Sequence, residues 1–185
     1  MALLPSGIEF TIRGAFPVWE YTQTNAFFWG ADIEWTEKLS PNMTMTHGGS
    51  LVKATDRINK SPFPNIPPVN TRHQLTKTFS KIQGFKIELN GNYNFRQNEV
   101  PEDLMIFNPN TKQDQLLAIN RAPKAFFLLS SVAEYQFPKS GTTQYKLRIS
   151  GENLTNLNYQ NYLNRLRYFS NELGININLQ FQINF

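Results

Sequence analysis

The chain ends Ile175-Asn176-Ile177-Asn178-Leu179-Gln180-Phe181-Gln182-Ile183-Asn184-Phe185. Every odd position is apolar and every even position is an amide. A period of two is that of an extended strand whose successive side chains point to opposite faces. An ordinary strand runs about five or six residues. This one matches the roughly nine to eleven that a tilted strand needs to cross a bilayer.

The alternation returns upstream. Phe85, Ile87, Leu89, Tyr93 and Phe95 alternate with Lys86, Glu88, Asn90, Asn92 and Asn94. Tyr145, Leu147 and Ile149 alternate with Gln144, Lys146 and Arg148, and Phe27, Trp29, Ala31, Ile33 and Trp35 with Gly30, Asp32 and Glu34. Residues 127–137 give a less regular strand, because Leu128 and Val132 sit on its other face. Weaker strands are predicted at residues 43–54 and 72–81, with an extra one at 7–15; residues 159–171 read as loop. The connections at 40–42, 81–84 and 138–142 are short, and those at 57–69, 97–122 and 154–173 are long. That ordering predicts an all-β, antiparallel up-and-down segment of about seven to eight long strands. Short periplasmic turns would lie at one end and long extracellular loops at the other, as in a transmembrane β-barrel.

Composition narrows the chemistry. Of 185 residues, 17% are charged, against about 25% in an average soluble domain. There is no cysteine, which removes disulfide scaffolds, thiolate metal sites and cysteine nucleophiles. The two histidines, His47 and His73, are too far apart in sequence for a short metal-ligand motif. The net charge of +4 is scattered, and no Lys/Arg run forms a nucleic-acid footprint. No stretch approaches the roughly 18 apolar residues of a membrane helix. Residues 1–7 lack the basic and apolar regions of a secretory signal. Taken alone, that points to the cytoplasm.

Alternation does not say which face meets water. A soluble sandwich or ligand-binding barrel would turn the apolar face inward. Strand length, a polar face mixing amides with both signs of charge, and aromatics near strand ends such as Tyr93, Phe95, Tyr135 and Tyr145 favour a membrane wall. Lys77 and Lys81 share the apolar phase with Leu75 and Phe79. Lys81 abuts a short turn, where a lysine costs about 0–1 kcal/mol; Lys77 must snorkel. The membrane reading requires that Ile177, Leu179, Phe181 and Ile183 not converge in a dry interior.

The order and spacing of several short motifs resemble the C-terminal part of a TonB-dependent outer-membrane receptor. Glu152-Asn153-Leu154-Thr155-Asn156 is similar to the Glu-Asn-Leu-Phe-Asn element of that family, and Tyr159 with residues 162–168 is similar to the loop that follows. Gly174 opens the last strand and Phe185 closes it. Upstream, Tyr21-Thr22-Gln23-Thr24-Asn25-Ala26 with Gly30, Asp32 and Glu34, and then Ile66-Pro67-Pro68, resemble further family elements, so the likeness runs from about Phe16 to Phe185. It implies a barrel of roughly 22 strands around a plug, in the outer membrane of a Gram-negative bacterium, importing a scarce nutrient with energy delivered by TonB. Residues 1–185 would be a single C-terminal barrel segment, without plug, TonB box or signal peptide. The implied cargo is an iron–siderophore complex, a small metal chelate. The implied partners are outer-membrane lipid and lipopolysaccharide, the TonB complex acting through the plug, and the barrel-assembly machinery, for which Phe185 would be the terminal aromatic signal. Two alternatives stay open: a self-closed eight-stranded outer-membrane barrel serving as anchor or adhesin, which needs residues 7–15 paired with the last strand, and a soluble ligand-binding β-barrel.

No catalytic constellation or resident cofactor is read from the sequence, and no enzyme activity is expected. Glu34/Glu37 and Glu102/Asp103 are local carboxylate pairs of the kind that solvated surfaces carry. Asn153-Leu154-Thr155 fits an N-glycosylation pattern, but a strand-end turn explains it better. Ligand contacts belong in the loops. Arg57, Lys60, Arg165, Arg167 and Tyr168 are the candidate ligand-binding residues, with Arg121, Lys124, Tyr159, Tyr162 and Phe169 nearby in the same long loops. Cations there suit an anionic chelate or acidic lipopolysaccharide, and aromatic rings can stack on an aromatic ligand or pack the loop.

Overall fold

The computed structural model describes residues 2–11, 14–108, 111–117 and 121–185. Eleven strands form, and no helix appears among the described residues. The strands are β1 (Ala2–Thr11), β2 (Gly14–Thr22), β3 (Ala26–Ser40), β4 (Met43–Asp56), β5 (Asn70–Thr78), β6 (Phe85–Asn94), β7 (Leu104–Asn108), β8 (Gln113–Leu117), β9 (Phe126–Gln136), β10 (Gln144–Glu152) and β11 (Asn176–Asn184). Seven of them make one antiparallel sheet in the order β11-β10-β9-β6-β5-β4-β3. These are the seven long runs that alternation predicts. Their lengths, from 9 to 15 residues, exceed the ordinary strand. The fold is thus an all-β antiparallel barrel-like segment.

Register carries the two-face pattern across the sheet. Leu179 pairs with Ile149, Ile149 with Ala133, and Ala133 with Ile87. One step along, Gln180 pairs with Arg148, Arg148 with Glu134, and Glu134 with Lys86. Because the side-chain period is two, this register carries the two faces across the sheet, with exceptions at β6–β9, where Glu88 stands opposite Val132 and Asn92 opposite Leu128.

Exposure decides which face is the core, and neither is. Ile177, Leu179 and Phe181 on the edge strand are 67%, 71% and 58% exposed, and even on inner strands Leu89 is 42% and Ile149 is 47% exposed. They do not converge. On the polar face, the Glu134 side chain is only 13% exposed, held among Lys146 at 3.4 Å, Lys86 at 3.8 Å and Arg148 at 3.9 Å. No side chain among the described residues is fully buried. An apolar surface of this extent, left bare, marks contact with another apolar phase.

Short and long connections segregate to opposite ends. Ser40–Met43, the 79–84 turn and the 137–143 turn lie at one end, and the 57–69, 95–125 and 153–175 loops at the other. In the 79–84 turn, Phe79 N–H donates to Phe85 O at 3.2 Å and Ile82 N–H to Phe79 O at 3.2 Å. Gly84 there has φ +83°, and a Cβ would meet Gln136 O at 2.1 Å, so only glycine fits.

Three sequence readings need correction. β5 ends at Thr78, not at Lys81, because the turn begins at Phe79 and contains Lys81. Lys77 therefore sits at the ladder's end, its Nζ 5.4 Å from the Phe79 ring centre, a position in which its charge is cheaply placed. Of the extra strand expected at 7–15, residues 12 and 13 lie outside the described residues, and those on either side belong to two strands, β1 and β2, which pair with each other, Thr11 opposite Gly14. A local partner costs less loop-closure entropy than one more than 160 residues away. Among the described residues β11 pairs only with β10 and β3 only with β4, so the sheet is open and the eighth strand needed for self-closure is engaged elsewhere. Finally, the long 97–122 loop carries its own two-stranded hairpin, β7–β8, which alternation did not predict.

Candidate functional site

The long loops lock onto one another at one end of the sheet. Asp56, at the tip of β4 beyond the part that pairs with β5, is 4% exposed. Its Oδ1 accepts hydrogen bonds from the Thr24 hydroxyl at 2.7 Å and the Ile58 and Asn59 N–H groups at 2.8 and 3.2 Å; its Oδ2 accepts from Asn59 Nδ2 at 2.9 Å. These donors, Thr24 foremost, hold the carboxyl down at about 2, against the opposing effect of burial. The 57–69 loop then folds back, so that Phe63 packs on Ala54 with Ile66 against them. Gln97 Nε2 donates to Ile66 O at 3.0 Å, which ties the 95–125 loop to the Ile66-Pro67-Pro68 run.

The 153–175 loop is organised by asparagines. Asn153 has a left-handed backbone, φ 48°, is 5% exposed, and donates from Nδ2 to Leu157 O at 2.9 Å and Leu173 O at 3.2 Å. Its Oδ1 accepts from Leu157 N–H at 2.8 Å. Asn156 Oδ1 accepts from Ile175 N–H at 3.1 Å. The Glu152–Asn156 motif is thus the staple at the mouth of the loop, and the buried Asn153 amide is no glycosylation acceptor. Residues 159–171 are a succession of turns, as the sequence reading has it.

Arg167 is the hub of that loop. It is 6% exposed, with its guanidinium 4.4 Å from the Tyr168 ring centre and 4.9 Å from that of Tyr162. Nη1 donates to Asn164 O at 3.2 Å, and Nη2 donates to the Tyr168 hydroxyl. Tyr162 is 3% exposed. Burial pushes the Tyr159, Tyr162 and Tyr168 phenols above their ordinary value.

Between these loops lies a cavity of about 730 Å³. Arg96, Arg121, Lys124 and Arg167 line it with Phe126, Tyr159 and Tyr168, and no carboxylate does so among the described residues. The Phe126 and Tyr159 rings pack at 4.5 Å. Four cations and three aromatic rings around one space suit a planar or aromatic anion.

Of the candidate residues, the structure brings Arg167 and Tyr168 to this cavity together with Arg121, Lys124 and Tyr159. Arg57 instead lies over the Phe27 ring at 4.9 Å, and Lys60 and Arg165 are exposed and outside the lining. Arg96, on the polar phase just past β6, was missed; its place at a strand-to-loop junction was the available signal. Phe185 is 99% exposed, one residue past β11.

The fold resembles that of the copper transporter OprC. The TM-score is 0.69 at 16% sequence identity, over 96% of this chain and 24% of OprC. The chain therefore spans about a quarter of the OprC length, and the likeness to OprC is one of fold. No family model matches the sequence, and no curated protein does.

Proposed function

We propose that this chain forms part of the wall of an outer-membrane active-transport receptor of the TonB-dependent kind. The observation that carries the reading is the bare apolar face, set against a polar face rich in amides and paired charges. Strands of nine or more residues and the OprC-like fold support it. The apolar face meets acyl chains and lipopolysaccharide, and the polar face lines a wet lumen. The loop cavity meets the cargo first. Its cations favour an anionic metal chelate, of which an iron–siderophore complex is one class. Gating and TonB coupling belong to the plug of such a receptor, and Phe185 serves the barrel-assembly machinery as the terminal aromatic.

Trp29 and Trp35 stand half exposed on the apolar face, which makes them reporters. In a Trp19→Phe background, vesicles with brominated acyl chains should quench their fluorescence strongly. A chain that stays monomeric in detergent-free buffer, with unquenched tryptophans, would overturn the reading. Arg121→Glu with Lys124→Glu should weaken binding of an anionic ferric chelate about tenfold or more.

A further inference from the structure

One cluster on the apolar face plays no part in that reading. His47 of β4 stands directly opposite His73 of β5, and their Nδ1 atoms lie 2.6 Å apart. On its other side His47 stacks on Trp35 with ring centres 4.9 Å apart, and its Nε2 lies 3.4 Å from Glu37 Oε1. The His47 side chain is 16% exposed and that of Glu37 is 53% exposed. The neighbouring rows hold Leu75, Met45, Leu89 and Ile33. Two imidazoles and a carboxylate among such residues are costly on a lipid-facing wall, and nothing in the ladder requires them.

Two Nδ1 atoms this close share one proton, donated by one ring to the lone pair of the other. An electrophilic metal takes the same place between two imidazole lone pairs. We propose that His47 and His73 form a two-imidazole site for a divalent transition metal, with Glu37 as the positioning carboxylate on His47 Nε2. Metal–nitrogen bonds of about 2.0–2.1 Å place two tetrahedral ligands roughly 3.3 Å apart. The rings need open by less than about 1 Å, a small side-chain adjustment. A ligating histidine that gives its second N–H to a carboxylate is fixed in tautomer and orientation, and Glu37 stands where it can do this. Among the described residues no third histidine, aspartate or glutamate completes the set, so water fills the remaining positions. Imidazole sites order the metals Co²⁺ below Ni²⁺ below Cu²⁺. His47 lies four residues along β4 from the short turn, or roughly 10 Å up a tilted strand. Counted from the turn, that is well inside an apolar band about 25 Å tall.

The test is Cu²⁺ titration of the full chain in detergent micelles, read by electron paramagnetic resonance. Coupling to two imidazole nitrogens is expected in the parent. His73→Gln should leave one and lower the affinity at least tenfold. A His47→Gln/His73→Gln double variant gives the background of the terminal amine. Glu37→Gln should weaken binding about 10- to 100-fold without changing the nitrogen count. Coupling to one nitrogen or none in the parent overturns the site whether or not the variants fold. So does a folded His73→Gln chain that binds as tightly as the parent.

Discussion

Arg72 of β5 pairs with Glu34 of β3 although β4 runs between them. The guanidinium crosses over Gly48, where a Cβ would meet Arg72 Nε at 2.5 Å. The intervening strand is bare at the one position where a side chain would sever the pair. Gly48→Ala should therefore reproduce Glu34→Gln. Both partners are more than half exposed, so each change should cost less than about 1 kcal/mol. Urea midpoints in micelles should show no further loss in the double variant.

The two faces should respond oppositely to charge. Leu89 and Asn90 are neighbours on an inner strand, one on each face. Leu89→Arg is expected to cost about 2–4 kcal/mol if Leu89 faces the bilayer midplane, and Asn90→Arg far less. Refolding into lipid vesicles across a urea series measures both.

The Asp56 clasp sets an acid limit on the loops. Its carboxyl holds its charge down to about 2 when folded, against 3.8 for the ordinary group. A depressed carboxyl stabilises fully above about 4, and the contribution is lost as pH falls from there through about 2. Amide exchange in the 57–69 loop should quicken over that window. Thr24→Val should raise the lower end of the window toward 4 and shrink the contribution, since the Thr24 hydroxyl is the main cause of the depression.

Arg167 holds the 153–175 loop through two ring faces and two hydrogen bonds. Arg167→Gln should cost about 1–2 kcal/mol locally and render residues 159–171 cleavable by added protease, with the sheet intact. At the other extreme, the phenols of Tyr162 and Tyr168 are held neutral by burial, so their contribution persists to about pH 10 and falls above it.

Much of the sheet was legible because period-two runs such as 175–185 need no partner to be recognised, and because loop lengths fix which ends lie together. What alternation cannot supply is register. His47 and His73 are 26 residues apart, and only the β4–β5 pairing makes them neighbours. Gly48 reads as a gap in a strand until Arg72 and Glu34 are seen on either side. Arg167 reads as a surface cation, because nothing local shows that Tyr162 and Tyr168 close around it. The residues at 7–15 alternate well enough for one strand, and no Gly-Gly or Asn-Gly signature divides them between the two strands that the pairing shows. In the loops, Asn153 and Asn156 were legible as a motif, while their function as staples needed the carbonyls they reach.

The β3–β4 ribbon outruns the rest of the sheet. Beyond Ser50 the strands stay bonded to each other, Leu51 to Ala31 through Asp56 to Ala26, for roughly 20 Å after β5 has dropped away. A tether of that length would go slack under load. A laddered ribbon, braced by Phe63 at its tip, acts instead as a lever. A sideways displacement of the 57–69 loop would bend the sheet near Gly49, where the ribbon joins it.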